Sequence, residues 1–397
     1  MKKTCILSAV IVTMILLYFC FEPIITYNTG WKAFTLPEKI EPAIHHKDSI
    51  SQKADSLLTK AFNLLETPAL SAAVGMNNIV VWSNVIGYQH LEDTLKADLE
   101  TKFRIGSTSK ALTSIGLGVL LENKKLNLNS KVNDFVPYAK NSLGELTVLQ
   151  LASHTSGIRN YGACFCFPVW EYYNNDHYIN VKESVAIFNG NKLLFTPGTN
   201  FSYSSYNYTL LSAVMEKAAD MDFLSFMEQS VFKPLGIKNI QAEDQRKELN
   251  NMSGFYEIKD GNYKKSFPVN NSNKWAGGGF IATPTDLVKL GNSFLNHTLL
   301  NQKTSKLLTT PVKLNDGIVN EQNYALGWRH TFTENVFDTK EKVEIIHHAG
   351  TATGNTSVFI LFPEYNMSIS VLINKSSSVS ELFEFAYQLA NLFARNG

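Results

Sequence analysis

The stretch Phe103-Arg104-Ile105-Gly106-Ser107-Thr108-Ser109-Lys110 places a serine and a lysine three residues apart, where a strand-like run changes to a helical one. From Ala111 onward, apolar residues recur at helical spacing, which puts Ser107 and Lys110 in the first turn and on one face of a helix. A serine hydroxyl becomes a nucleophile when a neighbouring base takes its proton, and a lysine at the N-terminal end of a helix can act as that base. The stretch therefore predicts a catalytic Ser107 with Lys110 as its base.

A second serine and lysine with the same spacing occur in Ser230-Val231-Phe232-Lys233. There the intervening residues are apolar and Pro234 follows directly, so no amphipathic helix begins at Ser230. This segment is predicted to be the end of a helix or a turn. Spacing alone is thus a weak indicator, and the assignment of Ser107 depends on what the rest of the chain supplies.

The chain has 397 residues, of which 36 are basic and 35 acidic, and its formal net charge is +1. The charges are mixed along the sequence, so they form no electrostatic footprint for nucleic acid, and we expect no nucleic-acid partner. The length is sufficient for two domains, or for one large domain with an insertion, and the apolar content is ordinary for a globular protein with a sizeable core.

An apolar run from Cys5 to Phe21 follows the positively charged start Met1-Lys2-Lys3-Thr4. This pattern is typical of a membrane anchor with its positive end in the cytoplasm, or of a secretory signal. Because Leu17-Tyr18-Phe19-Cys20 is bulky and no small-residue cleavage site follows, we favour an anchor over residues 1–26, with the body outside the cytoplasm at the cell membrane. A cleaved signal with a secreted or periplasmic body is the alternative. Residues 27–49 are predicted to link membrane and body.

Two of the four cysteines, Cys164 and Cys166, lie in the body. A disulfide between residues two apart requires a strained ring. A metal site would require further ligands, and neither a second cysteine pair nor a His-Glu-x-x-His run is present. We therefore expect two thiols in a loop, and we expect no metal and no cofactor.

Strand patterns lie near both ends of the body, residues 50–397, with helical patterns between them. The predicted strands are 70–75 and 79–88, joined by a hairpin at Asn77-Asn78, and 343–347, 357–362 and 368–374. The predicted helices are 50–65, 210–219, 223–232, one that begins after Thr283, and 381–394. The pattern indicates an α+β fold in which residues 50–125 and 275–397 form one antiparallel sheet, while residues 126–274 form a mostly helical insertion.

Two further segments supply groups that a serine hydrolase needs. Tyr203 lies in a loop that opens a helix, from which a phenol can transfer a proton to or from the serine. His348-Ala349-Gly350-Thr351 ends a strand, where backbone N–H groups and a polar side chain can flank the reacting carbonyl. His154 is interpreted as a turn histidine that caps backbone groups.

Taken in order, these segments resemble the motifs of the serine β-lactamase and penicillin-binding protein superfamily, in the branch with class C β-lactamases, D-alanyl-D-alanine peptidases and related esterases. The similarity runs from about Leu70 to Asn374. It rests on residues 103–110, 151–158, 197–203, 234–236, 277–279 and 348–350. The resemblance implies a class C β-lactamase-like fold, with an antiparallel five-stranded sheet flanked by helices plus a mostly helical insertion domain.

The same resemblance implies the roles of the catalytic residues. Ser107 would be acylated, Lys110 would be its base, and Tyr203 would protonate the leaving group. The backbone N–H groups of Ser107 and Thr351 would form the oxyanion hole.

The resemblance also implies a substrate-binding set, which consists of Ser205, His348, Gly350 and Thr351. His348 stands where the superfamily usually has a lysine, and histidine is a common variant in the esterase and peptidase branches. Ser205 departs from the usual asparagine, which contacts the substrate amide in β-lactamases. Efficient turnover of β-lactams is therefore not expected.

We expect an exported, membrane-tethered serine hydrolase that acts through an acyl-serine intermediate on a small-molecule ester, a peptide or a cell-wall-type substrate. A β-lactamase or D-alanyl-D-alanine carboxypeptidase is the alternative within the same fold. An inactive relative that binds a ligand in the same cleft is the alternative from another class. Ser107, Lys110 and Tyr203 together favour an enzyme, since a binding cleft has no need of all three.

Overall fold

The computed structural model describes residues 2–36, 40–163, 170–247, 249–337 and 339–395, with the side chains of all of these except residues 2–4 and 22–28. The two predicted loop thiols, Cys164 and Cys166, lie outside the described residues.

The helices begin where polar side chains cap the first turn. In one of them the Asp48 side chain accepts from the backbone N–H of Ser51, and in another Thr283 accepts from Asp286, with a proline in the first turn as well. The α-helices are α1 (Lys2–Asn28), α2 (Ser49–Leu65), α3 (Ser109–Glu122), α4 (Val148–Ala152), α5 (Val181–Ala186), α6 (Ser205–Ala219), α7 (Phe223–Met227), α8 (Trp275–Gly278), α9 (Pro284–Leu295), α10 (Gln302–Thr309) and α11 (Val379–Ala394).

The strands form one large sheet and two small ones. They are β1 (Lys32–Ala33), β2 (Ala69–Met76), β3 (Ile79–His90), β4 (Leu95–Lys96), β5 (Phe103–Arg104), β6 (Gln241–Ala242), β7 (Tyr256–Lys259), β8 (Asn262–Lys265), β9 (Phe280–Ala282), β10 (Arg329–Thr333), β11 (Val343–Ala352), β12 (Asn355–Phe362) and β13 (Met367–Ile373). The large sheet is 7-stranded, in the order β10-β11-β12-β13-β2-β3-β4, and the small sheets are β1-β8-β7 and β5-β9-β6.

The predicted antiparallel sheet is confirmed, but its strand number is not five. Strands from the two ends of the body meet where β13 pairs with β2, with Ile373 opposite Leu70. The extra strands are the two edges of the sheet. One of them, β4, has only two residues, and the other, β10, is mostly half-buried without a clear alternation, so neither has a pattern that a sequence reading can detect.

Two layers of helix cover the large sheet. On one face, Leu58 of α2 and Leu389 of α11 lie in one core with Val371 of β13. On the other face, a larger core includes Leu112 of α3, Leu287 of α9 and the helices of residues 126–274. The start of α3 therefore lies between the sheet and the helical region, which is where a cleft forms.

The second serine-lysine pair does not begin a helix. Ser230 lies within a π-helical turn, Glu228–Phe232, and a short 3-10 turn that contains Pro234 follows it. This agrees with the prediction that the segment is the end of a helix.

The segment before the body packs against it. β1 pairs with β8, and the N–H of Ala43 donates to the carbonyl of Val85. His46 bonds Asp55 through both its backbone N–H and its Nδ1 atom, at 3.2 and 3.0 Å. Within the part of the chain that the structure describes, no helix combines the length and the apolar character that crossing a membrane requires.

Candidate active site

Ser107 lies in a tight turn held against the end of β11. The 3-10 turn Gly106–Thr108 leads directly into α3, and Gly106 has a φ of 49°. A Cβ atom at Gly106 would lie 2.6 Å from the carbonyl oxygen of Thr351, so glycine is the residue that allows this approach. The Ser357 hydroxyl donates to the carbonyl of Ile105 at 2.7 Å and fixes the turn to β12.

Lys110 is fully buried below the serine. Its Nζ atom lies 3.2 Å from Ser107 Oγ, 3.1 Å from Ser205 Oγ and 2.6 Å from the carbonyl oxygen of Gly277. Burial, followed by the positive charge of Arg329, holds the pKa of Lys110 well below its usual range. A neutral amine has two N–H donors, which Gly277 and Ser205 can accept, and its lone pair is then directed at the Ser107 hydroxyl. This is the arrangement of a base.

Tyr203 lies beside Ser107 and Lys110, and its phenol is protonated. The Lys110 Nζ atom lies 4.8 Å from the centre of the Tyr203 ring. Burial raises the pKa of Tyr203 to about 12, while a hydrogen bond with Ser107 acts in the opposite direction. At neutral pH only about one molecule in 10⁵ would carry the phenolate. The phenol is therefore suited to donate a proton, and the lysine to accept one.

His348, which stands at the superfamily's lysine position, is buried and uncharged. Its Nδ1 atom lies 2.7 Å from the carbonyl of Ala349, so Nδ1 carries the proton and donates. Its Nε2 atom, 3.1 Å from the Tyr324 hydroxyl, then accepts. Burial, followed by the positive charge of Arg329, holds the pKa of His348 well below its usual range. The residue at the superfamily's lysine position therefore supplies no positive charge at neutral pH.

Ser205 faces the lysine from the first turn of α6. It is 6% exposed, and its hydroxyl bonds both Lys110 and the phenol of Tyr161. The structure thus places Ser205 below the nucleophile and not at the surface of the cleft. A hydroxyl in this place orients the amine of Lys110.

The predicted oxyanion groups come together from two elements. A Cβ atom at Gly350 would lie 2.9 Å from the backbone nitrogen of Ser107, so the end of β11 runs directly beside the nucleophile's own N–H. The following residue, Thr351, is exposed at the mouth of the cleft. Two backbone N–H groups from the turn and from β11 are therefore neighbours where a carbonyl oxygen would become negatively charged.

His154 contacts the site as well as its own turn. Its φ is 61°, and its Nδ1 atom accepts from the backbone N–H of Ser204 at 3.3 Å, as a turn histidine does. Its ring also lies 4.3 Å from the ring of Tyr203, centre to centre, and 4.7 Å from that of Tyr324. Burial holds the pKa of His154 well below its usual range, so a neutral ring supports Tyr203 from behind.

Arg329, at the start of β10, places a positive charge beside Tyr203 and Tyr324. The sequence alone did not identify this residue. Its guanidinium lies 5.7 Å from the ring centre of Tyr203 and 5.3 Å from that of Tyr324. It bonds the side-chain amide of Gln322, whereas the arginine ion pairs among the described residues belong to other arginines. Arg329 precedes His348 by nineteen positions, so no local spacing connects the two in the sequence.

Known proteins share this architecture. The chain is 27% identical to the human serine beta-lactamase-like protein LACTB, mitochondrial, in an alignment of 394 residues. The alignment covers 79% of this chain and 72% of that protein. An octameric penicillin-binding protein homologue from Pyrococcus abyssi superimposes with a TM-score of 0.70 at 20% identity, covering 86% of this chain and 77% of that one. A D-stereospecific amidohydrolase from Streptomyces superimposes with a TM-score of 0.68 at 21% identity, covering 84% and 98%.

The family assignment agrees with the resemblance read from the sequence. The sequence profile of the Beta-lactamase family matches residues 59–391. This span begins within α2, ends within α11, and includes the turn at Ser107, the start of α6 and the end of β11. The chain therefore belongs to the Beta-lactamase family.

Proposed function

We propose that the chain is a serine hydrolase that acts through an acyl-serine intermediate on esters or peptides. The observation that carries the proposal is the fully buried Lys110, whose depressed pKa and two accepted N–H bonds leave its lone pair to Ser107. A lysine kept neutral at this position has a purpose in proton transfer, and a cleft that only binds a ligand has no need of it.

The proposed reaction has two halves, acylation of Ser107 and hydrolysis of the acyl-serine. The Ser107 hydroxyl transfers its proton to Lys110 as Oγ attacks the substrate carbonyl, and the N–H groups of Ser107 and Thr351 stabilise the oxyanion. Tyr203 donates its proton to the leaving alcohol or amine as that bond breaks, and Lys110 returns a proton to Tyr203. Water then attacks the acyl-serine, which releases the acid and restores the Ser107 hydroxyl.

The test compares two serines that have the same local spacing. Hydrolysis of a p-nitrophenyl ester should be lost in Ser107→Ala and retained in Ser230→Ala, with both variants folded by circular dichroism. Full activity of Ser107→Ala would refute the proposal. Loss in both variants, or in neither, would do the same, because of these two serines only Ser107 adjoins the buried Lys110.

A β-lactamase or D-alanyl-D-alanine carboxypeptidase is the second candidate, supported by the match of residues 59–391 to the Beta-lactamase family. Two departures weigh against efficient β-lactam turnover. Ser205 bonds Lys110 and offers no amide to the substrate, and the neutral His348 offers no charge to a lactam carboxylate. We expect nitrocefin to be turned over slowly or not at all. An efficiency near 10⁶ M⁻¹s⁻¹, well within the range of specialised enzymes, would favour the β-lactamase instead.

We also propose that residues 1–26 tether the body to a membrane and hold it outside the cytoplasm, with a cleaved export signal as the alternative. Apolar side chains of α1 such as Ile6, Leu16 and Phe19 are more than half exposed, which leaves them for an apolar partner. Fractionation of cells that express the full chain tests this. Full-length protein found free of membranes, with residues 1–26 attached, would contradict the tether.

A further inference from the structure

A cavity of about 270 Å³ opens beside the oxyanion groups. The residues that line it include Tyr172, Tyr173, Glu257, Thr351, Thr353 and Ser376. Because Thr351 belongs both to this cavity and to the predicted oxyanion hole, a substrate whose carbonyl is held at Ser107 reaches the cavity directly. The proposed reaction assigns no role to this cavity.

The cavity does not include the residues that would surround the leaving group. Tyr203 donates to the leaving group, so the leaving group must lie on the side where Tyr203 and Arg329 stand. Neither of these residues lines the cavity. The part of the substrate that remains on Ser107 after the leaving group departs is therefore the part that the cavity can receive.

Glu257 is held in place with one oxygen open. Its Oε1 atom accepts from the hydroxyls of Ser376 at 2.8 Å and Ser266 at 3.0 Å. Ser376 also accepts from the N–H of Gly354 at 3.0 Å, so the β7–β8 hairpin is fixed to the turn between β11 and β12. Among the described residues, no hydrogen bond to Oε2 of Glu257 is formed. A fixed carboxylate with a free oxygen is a preorganised acceptor.

The rest of the lining suits a cation. The rings of Tyr172 and Tyr173 lie 5.1 Å apart, centre to centre, at 84° to each other, so a bound group would meet both a ring face and a ring edge. Thr351 and Ser376, whose side chains carry hydroxyl groups, also line the cavity.

The nearby positive groups are already engaged. Arg104 forms a buried ion pair with Glu243, and it donates to the carbonyl of Thr353 at 2.8 Å. Lys274 donates to the carbonyl of Tyr172 at 2.6 Å, and burial lowers the pKa of Lys274 to about 7. Lys264 is opposite Glu257 in the hairpin, where the two opposite charges interact, and its Nζ atom lies 4.5 Å from the ring of Trp31. Among the residues that line the cavity, Glu257 is the one with a charged side chain, so a ligand bound there meets its carboxylate.

We propose that this cavity is a subsite for a protonated amine on the acyl part of the substrate, with Glu257 as its carboxylate partner and Tyr172 and Tyr173 as its aromatic walls. The substrate class is then esters, amides or peptides whose acyl residue carries a free amino group close to the scissile carbonyl. The inference rests on the proposed acyl-serine hydrolase and adds the kind of acyl group that it accepts.

The experiment compares two substrates that differ only in this charge. The full chain is assayed with alanine p-nitroanilide and with N-acetylalanine p-nitroanilide, each as the D and the L enantiomer. Wild type should have the higher kcat/KM for the free amine. In Glu257→Gln the ratio of the two kcat/KM values should fall about ten- to a hundredfold, the usual effect of one charge-assisted hydrogen bond. Glutamine can still accept from Ser376 and Ser266, so the hairpin is retained.

A matched control and a second measurement complete the test. Glu364→Gln makes the same change at the opposite end of β12 and should leave the ratio unaltered. Alaninamide should slow the labelling of Ser107 by a fluorophosphonate, whereas N-acetylalaninamide should not. Equal kcat/KM values for both substrates, or an unaltered ratio in Glu257→Gln, would overturn the subsite while the hydrolase stands. A Ser107 that neither reacts nor turns over substrate would overturn both.

Discussion

The burial of Lys110 makes its contribution to stability depend on pH. In the folded chain the pKa of Lys110 lies well below 10.5, whereas in the unfolded chain it returns to about 10.4. Between these two pH values the unfolded chain binds one more proton than the folded chain does. The contribution of Lys110 to stability therefore increases as the pH rises through this window and is smallest below it.

This linkage predicts the behaviour of Lys110→Met. The variant should slow acylation of the serine by about 10² to 10⁴, the share of one proton-transfer group. Relative to wild type, it should lose stability as the pH is raised from 7 to 10, because only wild type gains from deprotonation. Thermal unfolding at both pH values measures this. A difference in unfolding temperature that does not change with pH would show that Lys110 has an ordinary pKa.

Arg329→Gln tests the cation that the sequence reading missed. For substrates with a carboxylate on the leaving group, KM should rise about tenfold, because one favourable charge is removed. The positive charge of Arg329 lowers the pKa of Lys110, so its loss should also move the acidic limb of the pH–rate profile to higher pH. Arg246→Gln, which removes an exposed arginine paired with Asp244, is the control and should change neither quantity.

Residues with a local signal could be predicted, and residues assembled by the fold could not. Ser107 and Lys110 share one helical turn, and a glycine-rich strand end marks Thr351. Arg329 and Glu257 come from strands far away in sequence, and nothing in their neighbours distinguishes them from surface charges. The orientation of Ser205 toward Lys110 likewise depends on the packing of α6 against α3, which no spacing reveals.

At the level of elements, the contact between the turn at Ser107 and the end of β11 aligns the oxyanion groups. Gly106→Ala would place a Cβ atom 2.6 Å from the Thr351 carbonyl oxygen and should move β11 away from the nucleophile. We expect kcat to fall by about 10² to 10³, the usual effect of losing one oxyanion donor. Steady-state kinetics on a p-nitrophenyl ester measures this.

Gly236→Ala is the matched control for that change. Gly236 has a φ of 64°, close to the 49° of Gly106, but a Cβ atom there would meet nothing within 4 Å. Each variant should lose about 1 to 2 kcal/mol of stability because an alanine is forced into the left-handed region, and Gly106→Ala should lose more because of its contact with Thr351. Equal losses of kcat would mean that backbone strain alone, and not the contact with Thr351, explains the effect.

Elements with strong patterns were predictable, and edge elements were not. The hairpin between β2 and β3 turns at Asn77 and Asn78, both with positive φ, as the sequence of the turn predicts. The closing helix α11 has the expected apolar stripe. β4 is short and exposed, and β7 and β8 are short and only partly buried, so hydrophobic periodicity could not distinguish them from loop.

For the whole molecule, the segment before α2 is part of the folded body. The buried amide of Asn84 donates to the carbonyl of Ile44 at 2.8 Å and accepts from its N–H at 3.1 Å. Removing residues 1–48 should therefore cost about 1 to 3 kcal/mol for each group left unsatisfied, whereas removing residues 1–30 should leave the unfolding temperature nearly unchanged. Thermal unfolding of both truncations checks this. Equal stability of the two would mean that residues 31–48 contribute little to the fold.

The general architecture was accessible from sequence because the ends of the body both carry strand patterns, and a single antiparallel sheet satisfies both. The attachment of residues 31–36 and 40–48 to the body could not be predicted from the sequence, because their contacts with β3 and β8 are made by backbone groups and isolated side chains. Such contacts leave no periodicity.

Labelling of Ser107 as a function of pH tests the central claim most directly. The full chain is treated with a fluorophosphonate between pH 5 and 11, and the adduct is located by peptide mass spectrometry. We predict a single adduct on Ser107, with a rate that rises as Lys110 loses its proton and levels off well below pH 10.5, the ordinary value for lysine. An adduct on another residue, or a rate on Ser107 that continues to rise up to pH 10.5, would contradict a neutral Lys110 as the base.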